Sequence, residues 1–440
     1  MFTTYNEALE WIHGRLRLGI KPGLARMEWM MEKLGSPELK MKTVHIGGTN
    51  GKGSTVTFLR SVVEAAGYSV GTFTSPYIEQ FNERISVNGQ PISDEEILEL
   101  TNVIVPLADQ LEETELGGPT EFEVITAMSF YYFANVNQVD IVLYEVGLGG
   151  RFDSTNIIQP IASVITNIGL DHTNILGHTY EEIAFEKAGI IKEQIPVFTA
   201  VKNQEAIKVI KEQADKKHAP LFTLNKDFAI TTHSPRETGE VFTLSSANHL
   251  FEQLEISMIG QHQTENAALA VMAARSINHH EEFTISDHAI RTGLKRAYWP
   301  GRFEILSKSP LVIIDGAHND EGISALVHEL SNRYSNYTIH IVFAALKDKK
   351  LDRMISQLDQ VADEISFLSF DFPRAAEAID LFSLSHSKNK RIGEHWDSYL
   401  SKCIQNLQPD SILVVTGSLY FISEAKPYLS EFLKNNKISL

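Results

Sequence analysis

Short, nearly continuous apolar runs alternate along this chain with segments whose apolar positions recur at helical spacing. The run from Val44 to Gly47 enters a glycine-dense stretch, after which Val56, Leu59, Val63 and Ala66 repeat until Gly67. That pattern predicts a strand, a loop and a helix. The first forty residues or so read as helical, with a polar turn at Gly35-Ser36-Pro37. Residues 69–73 read as a second strand and 74–85 as loop, and two helices then open with capping boxes, Ser93 with Glu96 and Thr120 with Glu123. Residues 140–146 and 161–168 are apolar at almost every position, as strands are when both faces of a parallel sheet are covered. Residues 180–191 and 204–217 read as helices around a strand at 197–199. From 228 to 257 short alternating segments with Ser-Pro and Thr-Gly turns predict an antiparallel excursion, before a helix at 265–277.

The Pro300-Gly301 pair breaks this rhythm, and a fresh alternation follows with strands at 311–315, 338–343, 364–369 and 412–416. At 440 residues the chain is too long for one core. The expected fold class is α/β: residues 1–297 as a phosphate-loop ATPase-like domain with a mostly parallel sheet and a small antiparallel excursion, 298–301 as linker, and 302–440 as a smaller Rossmann-like domain.

Candidate chemistry sits where strands end, because ligands of open α/β sheets bind beyond the carboxyl ends of the strands. After the first strand come Thr49, Asn50, Gly51, Lys52, Gly53 and Ser54. Glycines allow a tight turn, so that backbone N–H groups and a helix N-terminus face a polyphosphate, and Lys52 adds a point charge. The strict phosphate-loop spacing is not met, since Ile46 stands at the first glycine position and Gly53 separates Lys52 from Ser54. Other strand ends carry Ser75, Glu145, Asp171 with His172, Asp315 with His318, Lys347 with Asp348, and Ser418. Gly147-Leu148-Gly149-Gly150 fails the dinucleotide fingerprint because Phe152 replaces its third glycine, which argues against a nicotinamide cofactor. Taken alone, Lys187 reads as a helix-surface lysine.

A formal net charge of −17 argues against a general nucleic-acid binder and requires anionic substrates to be drawn in by local clusters. The single cysteine, Cys403, suits a reducing compartment. Neither a signal-peptide pattern nor an apolar run of membrane-spanning length is present, so a cytoplasmic protein is expected.

The loop Gly48-Thr49-Asn50-Gly51-Lys52-Gly53-Ser54 is similar to the nucleotide loop of the Mur-ligase superfamily, in its folylpolyglutamate synthase and dihydrofolate synthase branch. Further motifs resemble that branch in order, among them Thr74-Ser75-Pro76, Phe81-Asn82-Glu83-Arg84-Ile85, Glu145-Val146-Gly147-Leu148-Gly149-Gly150-Arg151 and Asp153-Ser154-Thr155-Asn156. Leu170-Asp171-His172, Glu186-Lys187-Ala188-Gly189, Trp299-Pro300-Gly301-Arg302, Asp315-Gly316-Ala317-His318-Asn319 and Thr416-Gly417-Ser418 complete the series. One departure is Lys350, where relatives often carry an aspartate.

The resemblance implies ATP-dependent ligation of L-glutamate to a reduced folate, to dihydropteroate, or to both, through an acyl phosphate. It implies Mg²⁺, with Mn²⁺ as a substitute, on Ser75, Glu145 and His172, and ATP as co-substrate. It also implies Lys52 and the loop on the phosphates, Asn266 at adenine, Arg302 at the phosphates and Asp315 at ribose. His318 and Ser418 would meet glutamate, Lys187 would be carbamylated, and Thr120 and Phe122 would lie near the pterin. A monomer with small-molecule partners, without nucleic acid or membrane, and with a site in the cleft between domains is the expectation. A cell-wall Mur ligase is the nearest alternative, but only about forty residues precede the loop, too few for that group's additional N-terminal domain. A phosphate-loop switch or motor ATPase would need none of the strand-end residues of the second domain.

Overall fold

In the computed structural model, residues 1–19, 21–247, 249–280 and 282–436 are described. The last four residues of the expected second domain lie outside them. The chain divides into two compact units. One comprises Met1–Ser234, Val241–Ser257 and Gln263–Tyr298, and the other Pro235–Glu240, Met258–His262 and Trp299–Leu440.

The first unit is built on strands β1 (Thr43–Gly47), β2 (Val70–Phe73), β3 (Ile85–Val87), β4 (Gln90–Pro91), β5 (Ile141–Glu145), β6 (Ala162–Ile165), β7 (Val197–Thr199) and β8 (Leu221–Thr223). They form one sheet in the order β4-β3-β2-β5-β1-β6-β7-β8. It is parallel from β2 to β8, and β3 and β4 add an antiparallel edge. β1 is central and β5 is buried at every position, as the unbroken apolar runs require. The loop after β1 leads into helix Lys52–Ala65, which buries Val56, Leu59, Val62 and Val63. Burial of such side chains, at roughly 1.5–3 kcal/mol each, outweighs the ~1 kcal/mol that Gly53 costs inside the helix.

Both expected capping boxes are present, at Ser93 before helix Asp94–Glu112 and at Thr120 before helix Glu121–Tyr131. The antiparallel excursion is a three-stranded sheet of β9 (Phe228–Pro235), β10 (Glu240–Ser246) and β11 (His249–Ile256), in the order β11-β10-β9. Residues 74–85 are not all loop, because a short helical turn at Phe81–Arg84 feeds directly into β3. The β3–β4 hairpin turns at Asn88 and Gly89, both in the left-handed region. Asn-Gly is the dipeptide that such a turn demands, so the signal for this hairpin lies in the sequence itself.

The second unit has β12 (Glu304–Lys308), β13 (Leu311–Asp315), β14 (Thr338–Phe343), β15 (Glu364–Phe367), β16 (Lys390–Ile392) and β17 (Ser411–Thr416). Their order is β12-β13-β17-β14-β15-β16, parallel except for β12. Buried residues of β13, β14, β15 and β17 pack with helices on both faces of the sheet, in two apolar clusters. Within this unit Arg333 binds Glu329 and the buried Glu240, so the hairpin segment 235–240 is tied to helix Asp320–Arg333. Among the described residues no helix is long and apolar enough to cross a membrane.

Candidate active site

In the first unit the loop after β1 is held by the segment that follows β6. Thr166 Oγ1 donates to the Asn50 carbonyl at 2.6 Å, the Thr49 N–H donates to the Asn167 carbonyl at 3.0 Å, and the Asn50 N–H donates to Asn167 Oδ1 at 2.7 Å. Two glycines are indispensable to this arrangement. Gly48 has φ +143°, and a Cβ there would stand 1.8 Å from Thr166 Oγ1; at Gly51, φ +84°, it would stand 2.3 Å from Asn266 Oδ1. Asn266 is thereby placed against the loop, although 215 positions further on in sequence (266 − 51).

Lys52 Nζ donates to the Gly48 and Thr49 carbonyls, both at 3.2 Å. Lys187 Nζ donates to the same Gly48 carbonyl at 2.9 Å. Lys187 is buried and not on the helix surface, because helix Tyr180–Ala188 turns its last residues inward against the sheet. Burial, and then the charge of Lys52, hold its pKa down to about 7.

Glu145 ends β5 and Ser75 lies two residues beyond the paired β2, and the Ser75 N–H donates to Glu145 Oε2 at 3.4 Å. Glu145 is buried. His172 sits in the left-handed region at φ 51°, and its N–H donates to Asp171 Oδ1 at 2.8 Å. Among the described residues no group of three or more His, Cys, Asp or Glu is assembled for a metal. The expected set has only two such side chains. The side-by-side Ser75 and Glu145 fit a hard cation that takes oxygen ligands from protein and phosphates together.

Asp153, which the sequence places in a motif without assigning it a role, supports this region. Its Oδ1 accepts from the Thr155 N–H at 3.0 Å and its Oδ2 from the Leu148 N–H at 2.9 Å, fixing the turn after Glu145. His45 Nε2 meets Thr155 Oγ1 at 2.8 Å, and complete burial lowers the imidazole's pKa to about 3, so it is neutral. The Asp153-Ser154-Thr155 run, an Asx-turn sequence, was the available signal.

Thr120 is spent as a helix cap, its Oγ1 accepting from the Glu123 N–H at 3.3 Å. The Phe122 ring lies over Gly147, where a Cβ would be 2.5 Å from it, and 5.7 Å from the Phe73 ring.

In the second unit Asp315 ends β13, and its carboxylate accepts from the Phe303 N–H at 2.7 Å and the Ala317 N–H at 2.8 Å. Burial raises its pKa, against the nearby Arg302. Arg302 lies over Gly316, where a Cβ would be 2.5 Å from Nη1. His318 Nδ1 is 2.8 Å from the Gly316 carbonyl, which can only accept, so Nδ1 carries the proton. Asp315 is in register with Thr416 on β17, two residues before Ser418, which precedes helix Leu419–Asn435. The Ser418 and Thr416 hydroxyls are buried and have no hydrogen-bond partner among the described residues.

Phosphate loop, strand-end carboxylate and a second α/β unit with its own Asp, His and Ser define a nucleotide-using α/β enzyme. Comparison with known proteins narrows the class. A family model described as the Mur ligase middle domain matches residues 46–274, and one described as the Mur ligase glutamate ligase domain matches residues 301–419. The dihydrofolate synthase/folylpolyglutamate synthase of Bacillus subtilis (strain 168) is 50% identical over 429 residues, 98% of this chain and 100% of its own. The structure of Mycobacterium tuberculosis folylpolyglutamate synthase complexed with ADP and AMPPCP superposes with a TM-score of 0.88 at 29% identity, over 96% of this chain and 98% of its own. A folylpolyglutamate synthase complex with AMPPCP and folate gives 0.86 at 32% identity, over 97% of this chain and 100% of its own. The chain belongs to the Mur ligase family, in its folylpolyglutamate synthase/dihydrofolate synthase branch. It is a ligase.

Proposed function

We propose that this enzyme uses ATP to join L-glutamate to a reduced folate and also to dihydropteroate, the two activities named together for the Bacillus subtilis relative. The observation that carries the reading is the shared Gly48 carbonyl, which draws Lys52 and the buried Lys187 to one point of a phosphate loop. The substrate carboxylate attacks the γ-phosphorus of ATP and ADP leaves. The glutamate amine then attacks the acyl phosphate, loses its proton, and phosphate departs from the tetrahedral intermediate.

Phosphoryl transfer needs negative charge spread over three oxygens to be neutralised, and Lys52 with the first-turn N–H groups of residues 52–54 supplies donors for this. Asn266 faces the adenine, Arg302 the phosphates and Asp315 the ribose. Ser75, Glu145 and His172 would hold Mg²⁺, or Mn²⁺ in its place, and the chemistry such a cation would supply there is neutralisation of phosphate charge. Lys187, whose pKa of about 7 leaves much of it as neutral amine, carries a carbamate formed by attack of that amine on CO₂ with loss of a proton. The modified side chain is an anion that orients its neighbours in the site.

Phe122 presents a ring face to the pterin, beside Thr120. His318 and Ser418 receive glutamate. Residues 1–297 thus act as the ATP-binding domain and 302–440 as the glutamate-ligase domain, in a monomeric cytoplasmic enzyme whose partners are small molecules. The test is ADP release by the purified protein with glutamate plus dihydropteroate or tetrahydrofolate, each in turn. Turnover that needs neither pterin nor glutamate rejects the reading.

A further inference from the structure

The backbone that carries Arg302 bends twice in succession. Gly301 has φ +66° and Phe303 φ +43°, so the residues on either side of Arg302 both stand in the left-handed region. Phenylalanine enters that region only under constraint. Two carboxylates supply it. Asp315 Oδ2 accepts from the Phe303 N–H at 2.7 Å, and Glu304 Oε2 accepts from the Gly301 N–H at 2.7 Å. The Gly301 carbonyl in turn accepts from Arg302 Nη1 at 3.1 Å and from the Gly316 N–H at 2.9 Å. Gly301 is therefore held through its N–H by Glu304, and through its carbonyl it holds the guanidinium over Gly316.

Glu304 is itself fixed from a distance. Lys426 Nζ lies 3.1 Å from Glu304 Oε1, and only 9% of either side chain is exposed. Lys426 belongs to helix Leu419–Asn435, which begins directly after Ser418. Glu304 opens β12 in register with Ile314, the neighbour of Asp315. An ion pair withdrawn from water adds little net stability, because desolvation offsets most of the attraction. What this one adds is direction. The ammonium beside Oε1 leaves Oε2 turned to the Gly301 N–H, and the carboxylate's charge strengthens that hydrogen bond. Such a hold matters for a guanidinium that has to meet phosphate oxygens, since misplacing a reacting group by about 1 Å costs up to ~100-fold in rate.

We propose that Glu304 and Lys426 are positioning residues for phosphoryl transfer: the pair fixes Gly301 and through it aims the Arg302 guanidinium. This rests on the reading above that puts Arg302 at the phosphates of ATP. The measure is the rate of ADP and acyl-phosphate formation in a rapid-quench first turnover without glutamate. Replacing both partners by apolar residues, Glu304→Leu with Lys426→Met, removes the two charges together and should leave Tm within a few degrees of the wild type. The rate should nevertheless fall by ~10- to 100-fold, while the steady-state KM for glutamate stays unchanged. Adding Arg302→Ala separates aim from support. A pair that acts through Arg302 makes the triple variant no slower than Arg302→Ala alone. Losses that multiply overturn the proposal, as does a wild-type rate in the paired variant beside a slow Arg302→Ala; both leave Arg302 at the phosphates. A wild-type rate in Arg302→Ala rejects that placement and the proposal together. Should the paired variant not fold, Glu304→Gln, which keeps the size of the side chain without its charge, takes its place in the same comparison.

Discussion

The Nζ of Lys187 donates to the carbonyl of Gly48 at 2.9 Å, so a lysine on a helix 139 positions away is held against the glycine-rich loop after β1. Its neighbour on that carbonyl is Lys52, and two cations sharing one oxygen in a buried place raise the cost of protonating both.

That pairing predicts a dependence on both pH and CO₂. Only the neutral amine forms a carbamate, so its reactive fraction falls about tenfold for each pH unit below the Lys187 pKa of about 7. Activity in CO₂-stripped buffer should fall steeply below neutrality and return on adding bicarbonate. Lys187→Ala should lose at least about 100-fold in kcat and regain part of it with short carboxylic acids, as expected when a positioned charge is lost. The same shift sets stability. Between about 7 and the ordinary lysine value, the unfolded chain binds a proton that the folded chain does not, so stability rises with pH across that window. In CO₂-free buffer Lys187→Met should therefore raise Tm more at pH 6 than at pH 9. Intact mass showing an unmodified amine in active enzyme would reject the carbamate.

Glu145→Gln keeps the size of the side chain and can still accept from the Ser75 N–H. The expected result is loss of most of the activity, at least about 100-fold, with Tm lowered by no more than a few degrees. Steady-state rates over a Mg²⁺ and Mn²⁺ titration, beside thermal melts, check this. A collapse in Tm with proportionate loss of activity would instead make Glu145 a structural carboxylate.

Gly48→Ala puts a methyl group where Thr166 Oγ1 now stands and asks alanine to adopt φ +143°. Thr166 must move, releasing its bond to the Asn50 carbonyl. AMPPCP affinity measured by calorimetry should fall by at least about tenfold, and Tm should fall with about 1–3 kcal/mol of backbone strain. Adding Thr166→Ala should relieve the contact and leave the strain, so recovery should be partial. Unchanged affinity in the single variant would show that the loop tolerates this displacement.

Much of this was legible because parallel strands buried on both faces declare themselves. The predicted strands at 311–315 and 338–343 match β13 and β14 to the residue. The capping boxes at Ser93 and Thr120 were equally explicit. Edge elements were not: β12 and β16 are half exposed and lack a continuous apolar run. Long-range placement also escaped. Nothing local to Lys187 announces burial, since its helix has flanking glutamates and a weak apolar face; the close turns at Gly48 and Gly150 draw it in. The partner of Glu123 is Arg26, nearly one hundred positions away in sequence, and no spacing rule assigns it.

The second unit should govern the second half-reaction. Ser418 buries a hydroxyl that bonds to nothing among the described residues, a standing cost to folding of about 1–3 kcal/mol. A group kept at such a cost is expected to contribute when substrate arrives. Ser418→Ala should leave Tm unchanged or slightly higher, while the KM for glutamate rises by ~10-fold or more, the worth of one or two hydrogen bonds. His318→Ala should act in the same direction, because its Nδ1 proton, held by the Gly316 carbonyl, fixes the ring for an incoming amine or carboxylate. Arg302 differs: it lies over Gly316 beside the half-buried Asp315, and its replacement by alanine should slow phosphoryl transfer itself. Rapid-quench measurement of ADP and acyl phosphate in the first turnover, with and without glutamate, separates the steps. Ser418→Ala and His318→Ala should form acyl phosphate at close to the wild-type rate, and Arg302→Ala should not. Equal loss in all three variants would show that these residues serve one step together.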